Sequence, residues 1–459
     1  MSGGKSMATR SFFTAYDGIH GTELWVTDGT AAGTSLILDI YAGSGSSDIS
    51  GITSLGNGEA VFSAKDAAHG IELWVSNGTA AGTSLLQDIN PAGPTYDSSH
   101  YSSNPTGFTA LGGNEALFVA TNQSQGTELW ITDGTAGGTS VLKDIRSGSA
   151  SSNPEFITAL SPGYTVFRAT DGAHGSELWV TDGTSAGTSL LMDIHPGALG
   201  SYLSLFAPIG GGKAMFVAND GTHGYRPWVT NGTSVGTYQL STTASTTSPD
   251  TTAIGGGKAL FQAFDGSHGY ELWITDGSSA GTSLLKDIHP GIGSSLPQDI
   301  IKLATGKALF VADDGTHGQE LWISDGTAGG TSLLKDIYPG STGSYVGGLT
   351  SLGNGKALFS ATDGTHGNEL WVTDGTAAGT SLLTDIDPGS TGSSPSAITA
   401  IGGGEALFQA NDGTHGVELW ISDGTSAGTS LVSDIVSGAT GSTHLCLDGR
   451  SVLRVTDLF

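Results

Sequence analysis

The sequence predicts an all-β chain folded as a closed nine-bladed β-propeller with four-stranded antiparallel blades of about 49 residues. Three observations predict it. The phrase Glu-Leu-Trp begins at Glu23, Glu72, Glu128, Glu177, Glu271, Glu320, Glu369 and Glu418, and Arg226-Pro227-Trp228 stands where a ninth is due. Within each unit, short apolar runs alternate with Gly/Asn/Asp/Thr clusters, which is the pattern of strands and tight turns. Glycine supplies 74 of 459 residues and charged residues only 13%, against norms of roughly 7% and 25%, which excludes a helix-rich protein. Hydrophobic residues still reach 37% with 9 tryptophans, enough for a packed core rather than a disordered tract.

The units are spaced by 49 residues with two exceptions. Between Glu72 and Glu128 the interval is 56, through an insertion at residues 94–105 (PTYDSSHYSSNP); between Arg226 and Glu271 it is 45, where residues 238–249 degenerate into Ser and Thr. The whole chain, 1–459, reads as one domain.

A clean unit begins at Gly348: GLTSLGNGKALFSATDGTHGNELWVTDGTAAGTSLLTDIDPGSTGSSPS. Its four runs, 349–352, 357–362, 369–373 and 380–386, are joined by Asn-Gly and Asp-Gly pairs that tolerate positive φ and so favour hairpins. The result is a four-stranded meander. Leu370 and Val372 point to one face and Trp371 to the other, so a lone unit leaves apolar surface exposed on both sides. Radial repetition supplies two neighbours to every sheet at a step of about 40° per blade. A parallel β-helix would use shorter rungs, and a leucine-rich repeat would show helical backs.

The chain opens inside the second strand of a unit (10–17, RSFFTAYD), so the first blade lacks its innermost strand. Residues 443–447 (THLCL) occupy that strand's place after the ninth unit and are expected to close the ring. Residues 448–457 (DGRSVLRVTD) align instead with the second strand 354–363 (NGKALFSATD), so two segments compete for one blade.

The repeated motif resembles the bacterial ELWxxDGT-repeat family, met in secreted or surface proteins, and the strand plan is similar to kelch-type propellers. The resemblance covers nearly the whole chain. It implies architecture and a location outside the cytoplasm, and no particular activity.

Sixteen Lys and Arg against 43 Asp and Glu give a net charge of −27, whose field repels nucleic acid and anionic bilayers. The single cysteine, Cys446, excludes an internal disulfide. No run approaches the roughly 18 apolar residues of a membrane helix, so membrane insertion is not expected. Residues 1–13 lack the apolar core of a signal peptide. The closing VTDLF is like the C-terminal signals that type I exporters accept. The expected location is extracellular or at the cell surface, with the cytoplasm as the alternative, and the expected state is a monomer.

Antiparallel meanders put alternate turns at one end. The Asp363-Gly-Thr-His366 turn therefore shares a face with the blade-to-blade connection that begins at Asp387, and this is the expected binding face. Histidine recurs in that turn in eight units, with Gln125 in the remaining one. At a radius of roughly 15 Å such residues stand ~10 Å apart on neighbouring blades, too far for one ion. They are expected to order their own turns.

The acids pose a different question. A symmetric pairing of third and fourth strands sets Glu23 across from Asp39, Glu72 from Asp88, Glu128 from Asp144, Glu177 from Asp193, Glu271 from Asp287, Glu320 from Asp336, Glu369 from Asp385 and Glu418 from Asp434. Like charges so placed destabilise a sheet. Two readings follow: backbone amides and Ser/Thr hydroxyls satisfy them, or each pair contributes to a calcium site. The spacing matches no EF-hand or RTX loop.

The nine tryptophans, Trp25, Trp74, Trp130, Trp179, Trp228, Trp273, Trp322, Trp371 and Trp420, read as packing between blades rather than as sugar platforms. No nucleophile elbow, zinc-protease helix or phosphate loop is present. Asymmetric features are confined to the fifth unit, with Tyr225, Arg226 and Trp228, and to the insertion, with Tyr96, His100 and Tyr101. These six are the candidate ligand-binding residues. The function expected is that of a non-enzymatic binding or scaffold module for a glycan, peptide or surface partner, with calcium as the candidate cofactor. A hydrolase or lyase with one site over the central channel is the alternative.

Overall fold

Each unit forms one antiparallel sheet, and nine sheets stand in a ring with essentially no helix. The computed structural model describes residues 10–91, 102–161, 163–246, 250–439 and 441–442. Blade 8 is representative, with strands Gly347–Ser351, Ala357–Thr362, Asn368–Thr373 and Ser381–Thr384 in that order from the axis outward. Among the described residues blade 1 has three strands, Ser11–Tyr16, Thr22–Thr27 and Ser35–Leu38, as the offset start of the chain predicts. Residues 443–447 and 448–457, the two candidates for its missing strand, lie outside the described residues.

Two-sided burial is the physical reason for the ring. Leu370, with Val372 beside it, packs against Ala406 and Phe408 of blade 9, while Trp371 and Phe359 pack against Leu309 and Leu321 of blade 7. Phe359 and its equivalents Phe62, Phe118, Phe167 and Phe310 have no exposed surface, each stabilising by roughly 1.5–3 kcal/mol. The circle is complete: Phe13 and Ala15 of blade 1 join Leu407 and Leu419 of blade 9 in one cluster. Ser442 Oγ donates to the Tyr16 carbonyl at 2.9 Å across the same junction.

The Asp-Gly-Thr motif is the turn between third and fourth strands. Asp374 Oδ1 accepts the Thr376 N–H at 2.9 Å and its hydroxyl at 2.6 Å, and Thr373 and Thr380 share a hydroxyl bond of 2.7 Å at the turn's base. The strand pairing has a bulge that alternation alone does not predict. Leu370 pairs with Thr384 but Trp371 with Leu382, leaving Leu383 as the extra residue. The predicted level of Glu369 with Asp385 continues the first of these pairs, and the symmetric register does not extend to the turn.

First strands line the axis. Thr350 Oγ1 donates to the Ile398 carbonyl of the next blade at 2.8 Å, and Thr109 to that of Ile157 at 3.2 Å. Two grooves run along this wall. One of about 460 Å³ is lined by Thr252, Ile300, Thr350 and Ile398, and one of about 350 Å³ by Thr53, Phe108, Ile157 and Phe206.

Candidate binding face

Among the described residues the repeated glutamates are the most buried acidic or basic side chains. All eight, from Glu23 to Glu418, have no exposed surface. Glu177 shows how they are held: Oε2 accepts the Ile194 N–H at 2.9 Å and the Ser201 hydroxyl at 2.8 Å, and Oε1 accepts the Ser201 N–H at 2.7 Å. Ser201 lies in the connection to the next blade, so the carboxylate ties a third strand to the following crossover. Glu128, Glu271 and Glu369 repeat the arrangement with Ser152, Ser295 and Ser393. Burial pushes Glu23, Glu72 and Glu418 up to about 7, against hydrogen bonds that lower them, and the neighbouring Asp39, Asp88 and Asp434 add to the rise.

The paired aspartates are less enclosed. Oδ2 of Asp39, Asp144 and Asp287 accepts a glycine N–H of the connection. Oδ1 of Asp39, Asp88, Asp144, Asp193, Asp287, Asp336 and Asp385 is buried without a hydrogen-bond partner. In these seven blades one buried free carboxylate oxygen is a single ligand for calcium, which takes 6–8. Among the described residues no three His, Cys, Asp or Glu side chains converge on a metal position.

Each repeated histidine is tied to the aspartate three residues before it. His366 Nδ1 lies 2.8 Å from Asp363 Oδ2, and Asp363 Oδ1 accepts the N–H groups of Thr365 and His366. Gln125 and Asn122 build an uncharged copy of this turn in blade 3. The hydrogen bond that its ring donates to Asp363 raises the pKa of His366, and six other histidines shift the same way: His20, His69, His174, His268, His317 and His415. In Asp220, partial burial is outweighed by the hydrogen bonds of His223 and Thr222, which bring it to about 2.

Six tryptophans, Trp74, Trp130, Trp179, Trp273, Trp322 and Trp371, are buried, and Trp25, Trp228 and Trp420 are half-buried. All sit beside a second-strand phenylalanine, as Trp371 does on Phe359 at 6.3 Å. Arg226, in place of a glutamate, inverts the brace: its Nε donates to the Thr242 carbonyl at 3.2 Å and Nη1 to that of Tyr225 at 3.0 Å. Tyr225 is exposed on the connection face. Tyr96, His100 and Tyr101 lie outside the described residues.

What the repeat does not absorb gathers on one side. Among the described residues, nine of the eleven exposed large hydrophobic side chains lie on the face of the connections and second-to-third strand turns; Tyr164 and Val235 are the exceptions. The densest group spans blades 4 and 5. Tyr202 and Tyr225, 55% and 45% exposed, meet edge to face at 6.4 Å. Phe156 stacks on Phe206 at 6.1 Å and carries the Arg168 guanidinium 4.9 Å above its ring. Phe156, Tyr202 and Leu199 were not singled out from sequence; the available signal for Phe156 and Leu199 was their departure from the other units at the same positions, whereas Tyr202 has a counterpart in Tyr345 of blade 8.

No protein-family model and no curated protein matches the chain. Among solved structures it is similar to a puromycin hydrolase, at 15% identity and a TM-score of 0.42 over 86% of this chain and 54% of that one. It is also similar to a prolyl endopeptidase, at 12% identity and a TM-score of 0.43 over 80% and 54%. A third is prolyl oligopeptidase B from Galerina marginata, at 10% identity and a TM-score of 0.42 over 82% and 55%. The chain spans about half the length of these structures.

Proposed function

We propose that this propeller is a non-enzymatic binding module whose ligand surface is the connection face around blades 4 and 5. One observation carries the reading. The repeated glutamates and histidines are hydrogen-bonded within the frame, while exposed apolar side chains concentrate on a single face, most densely over blades 4 and 5. Patches of this kind on a soluble fold mark interaction sites. Membership of the ELWxxDGT-repeat family, with a location outside the cytoplasm, belongs to the same proposal.

The test is a binding screen of the full chain against glycan and peptide arrays, repeated with Tyr202→Ala/Tyr225→Ala. Loss of the hits with an unchanged melting temperature supports the reading. Hits that survive the substitution overturn it.

A second reading, hydrolysis at the channel mouth, has one observation in its favour. Asp250 and Asp299 stand at the same position of neighbouring blades, and the Asp299 carboxyl is raised by desolvation and then by the Asp250 charge. Two acids in unlike environments are what glycoside hydrolysis requires. Turnover of glycosides that vanishes in Asp299→Asn would favour this reading over the first.

A further inference from the structure

At the start of every described first strand, or in blade 6 just before it, one residue stands nine positions ahead of the opening residue of the second strand's buried run. In blades 2, 3 and 8 it is glycine, Gly51, Gly107 and Gly348, with φ between 64° and 67°. In blade 9 it is Ala397. In four consecutive blades it is Phe156, Leu205, Asp250 and Asp299. Phe156, Leu205 and Asp299 keep the left-handed backbone there, at φ of 56°, 59° and 51°, where a side chain other than Gly or Asn is uncommon. The site lies at the start of the first strand, so these four residues form an arc at the channel mouth on the connection face. It is apolar over blades 4 and 5 and acidic over blades 6 and 7.

Tyr202 and Tyr225 extend the apolar half outward, and Asp220, at about 2, keeps a full negative charge in the turn that precedes Tyr225. Between residues 155 and 299 there are 12 acids against 5 bases, in a chain of net charge −27. Two rings of this face already hold a cation: Arg168 lies over Phe156, and Lys65 lies 5.1 Å above Tyr41. Aromatic faces in a negative field attract ammonium and guanidinium groups. A neutral sugar would gain nothing from that field, and an anionic one would be repelled.

We infer that the arc from Phe156 to Asp299, with Tyr202 and Tyr225, docks a basic peptide segment of a partner protein. Its apolar side chains would lie over blades 4 and 5, and its Lys or Arg side chains against Asp250 and Asp299. This inference rests on the connection-face reading above and adds the class of partner.

The experiment is fluorescence anisotropy of the full chain with three labelled probes: a peptide alternating lysine and leucine, its glutamate-for-lysine counterpart, and a neutral oligosaccharide. The basic peptide is expected to bind, more weakly as salt rises. Its Kd should increase about tenfold in Asp250→Asn/Asp299→Asn and about tenfold in Tyr202→Ala/Tyr225→Ala, and stay unchanged in Val235→Ser on the opposite face. Melting temperatures show that each variant is folded. Failure of the basic peptide to bind, or equal binding of the acidic one, overturns the partner class. If the oligosaccharide binds instead and the tyrosine variant loses it, the face reading stands and the peptide reading falls. If no probe responds to the tyrosine variant, both fall.

Discussion

Ser103 donates its hydroxyl to Glu72 Oε2 at 2.6 Å and its N–H to Oε1 at 2.7 Å across 31 residues, whereas the same pair in the other blades spans 24. The difference is the insertion in the connection from blade 2 to blade 3. The extra residues are accommodated without loss of the carboxylate brace, so the brace sets the geometry of the crossover and the loop length does not.

Removing one brace should therefore destabilise the ring. Glu177→Ala leaves the buried Ile194 N–H without its acceptor and the Ser201 N–H and hydroxyl with only the Ser176 carbonyl to share, and an orphaned buried donor costs about 1–3 kcal/mol. The expected loss is about 1–3 kcal/mol by chemical denaturation. Glu177→Gln keeps one acceptor oxygen and should lose less. A neutral Glu177→Ala would show that the carboxylate does not hold the crossover.

Much of this fold is legible in the sequence because each strand carries its own evidence: the Leu370/Trp371/Val372 alternation demands two neighbours, and Asp374-Gly375-Thr376 writes its own turn. The bulge at Leu383 is not legible, because an extra residue leaves the apolar pattern of so short a strand intact. The partner of Glu369 is hidden for another reason. Ser393 lies 24 residues away in a connection whose path only the ring defines. Of the candidate site, Tyr225 could be found by its departure from the motif. Tyr202 and Phe156 occupy positions that vary between blades, so their exposure emerges only once the backbone around them, at φ of 51° and 56°, is known.

Stability should fall as pH rises from 6 to 8. Glu23, Glu72 and Glu418 titrate near 7 in the folded chain, above their ordinary 4.5. His20, His174 and His366 are likewise raised above 6.5. The folded state then binds more protons than the unfolded state in this range, so the stabilisation present below the unfolded values is lost as pH passes the folded ones. Asp220 and Asp363, lowered from 3.8, act in the opposite sense only below pH 4. The urea midpoint at pH 6 should exceed that at pH 8; the reverse order would contradict the burial of these carboxylates.

Chelation should leave stability unchanged. Glu177 and Glu369 already accept backbone and serine hydrogens, and seven of the paired aspartates have one buried oxygen without a partner. A ligand that binds only the folded state raises its melting temperature by mass action. EDTA is thus expected to leave the melting curve where it was. A drop that calcium restores would place an ion at the Asp385-type oxygens.

The tryptophans give a graded test of interblade packing. Trp371 is 6% exposed and wedged between its own Phe359 and the Leu309 and Leu321 of blade 7. Trp371→Ala should cost about 3–5 kcal/mol, as large core truncations do. Trp228 is half-buried, and its sheet ends in a fourth strand of only two residues, Tyr238–Gln239. With less neighbouring surface to lose, Trp228→Ala should cost less than Trp371→Ala. Equal losses would mean that the eroded blade is packed as tightly as the regular ones. In that case its departures from the repeat would not mark a sector released from the demands of the frame.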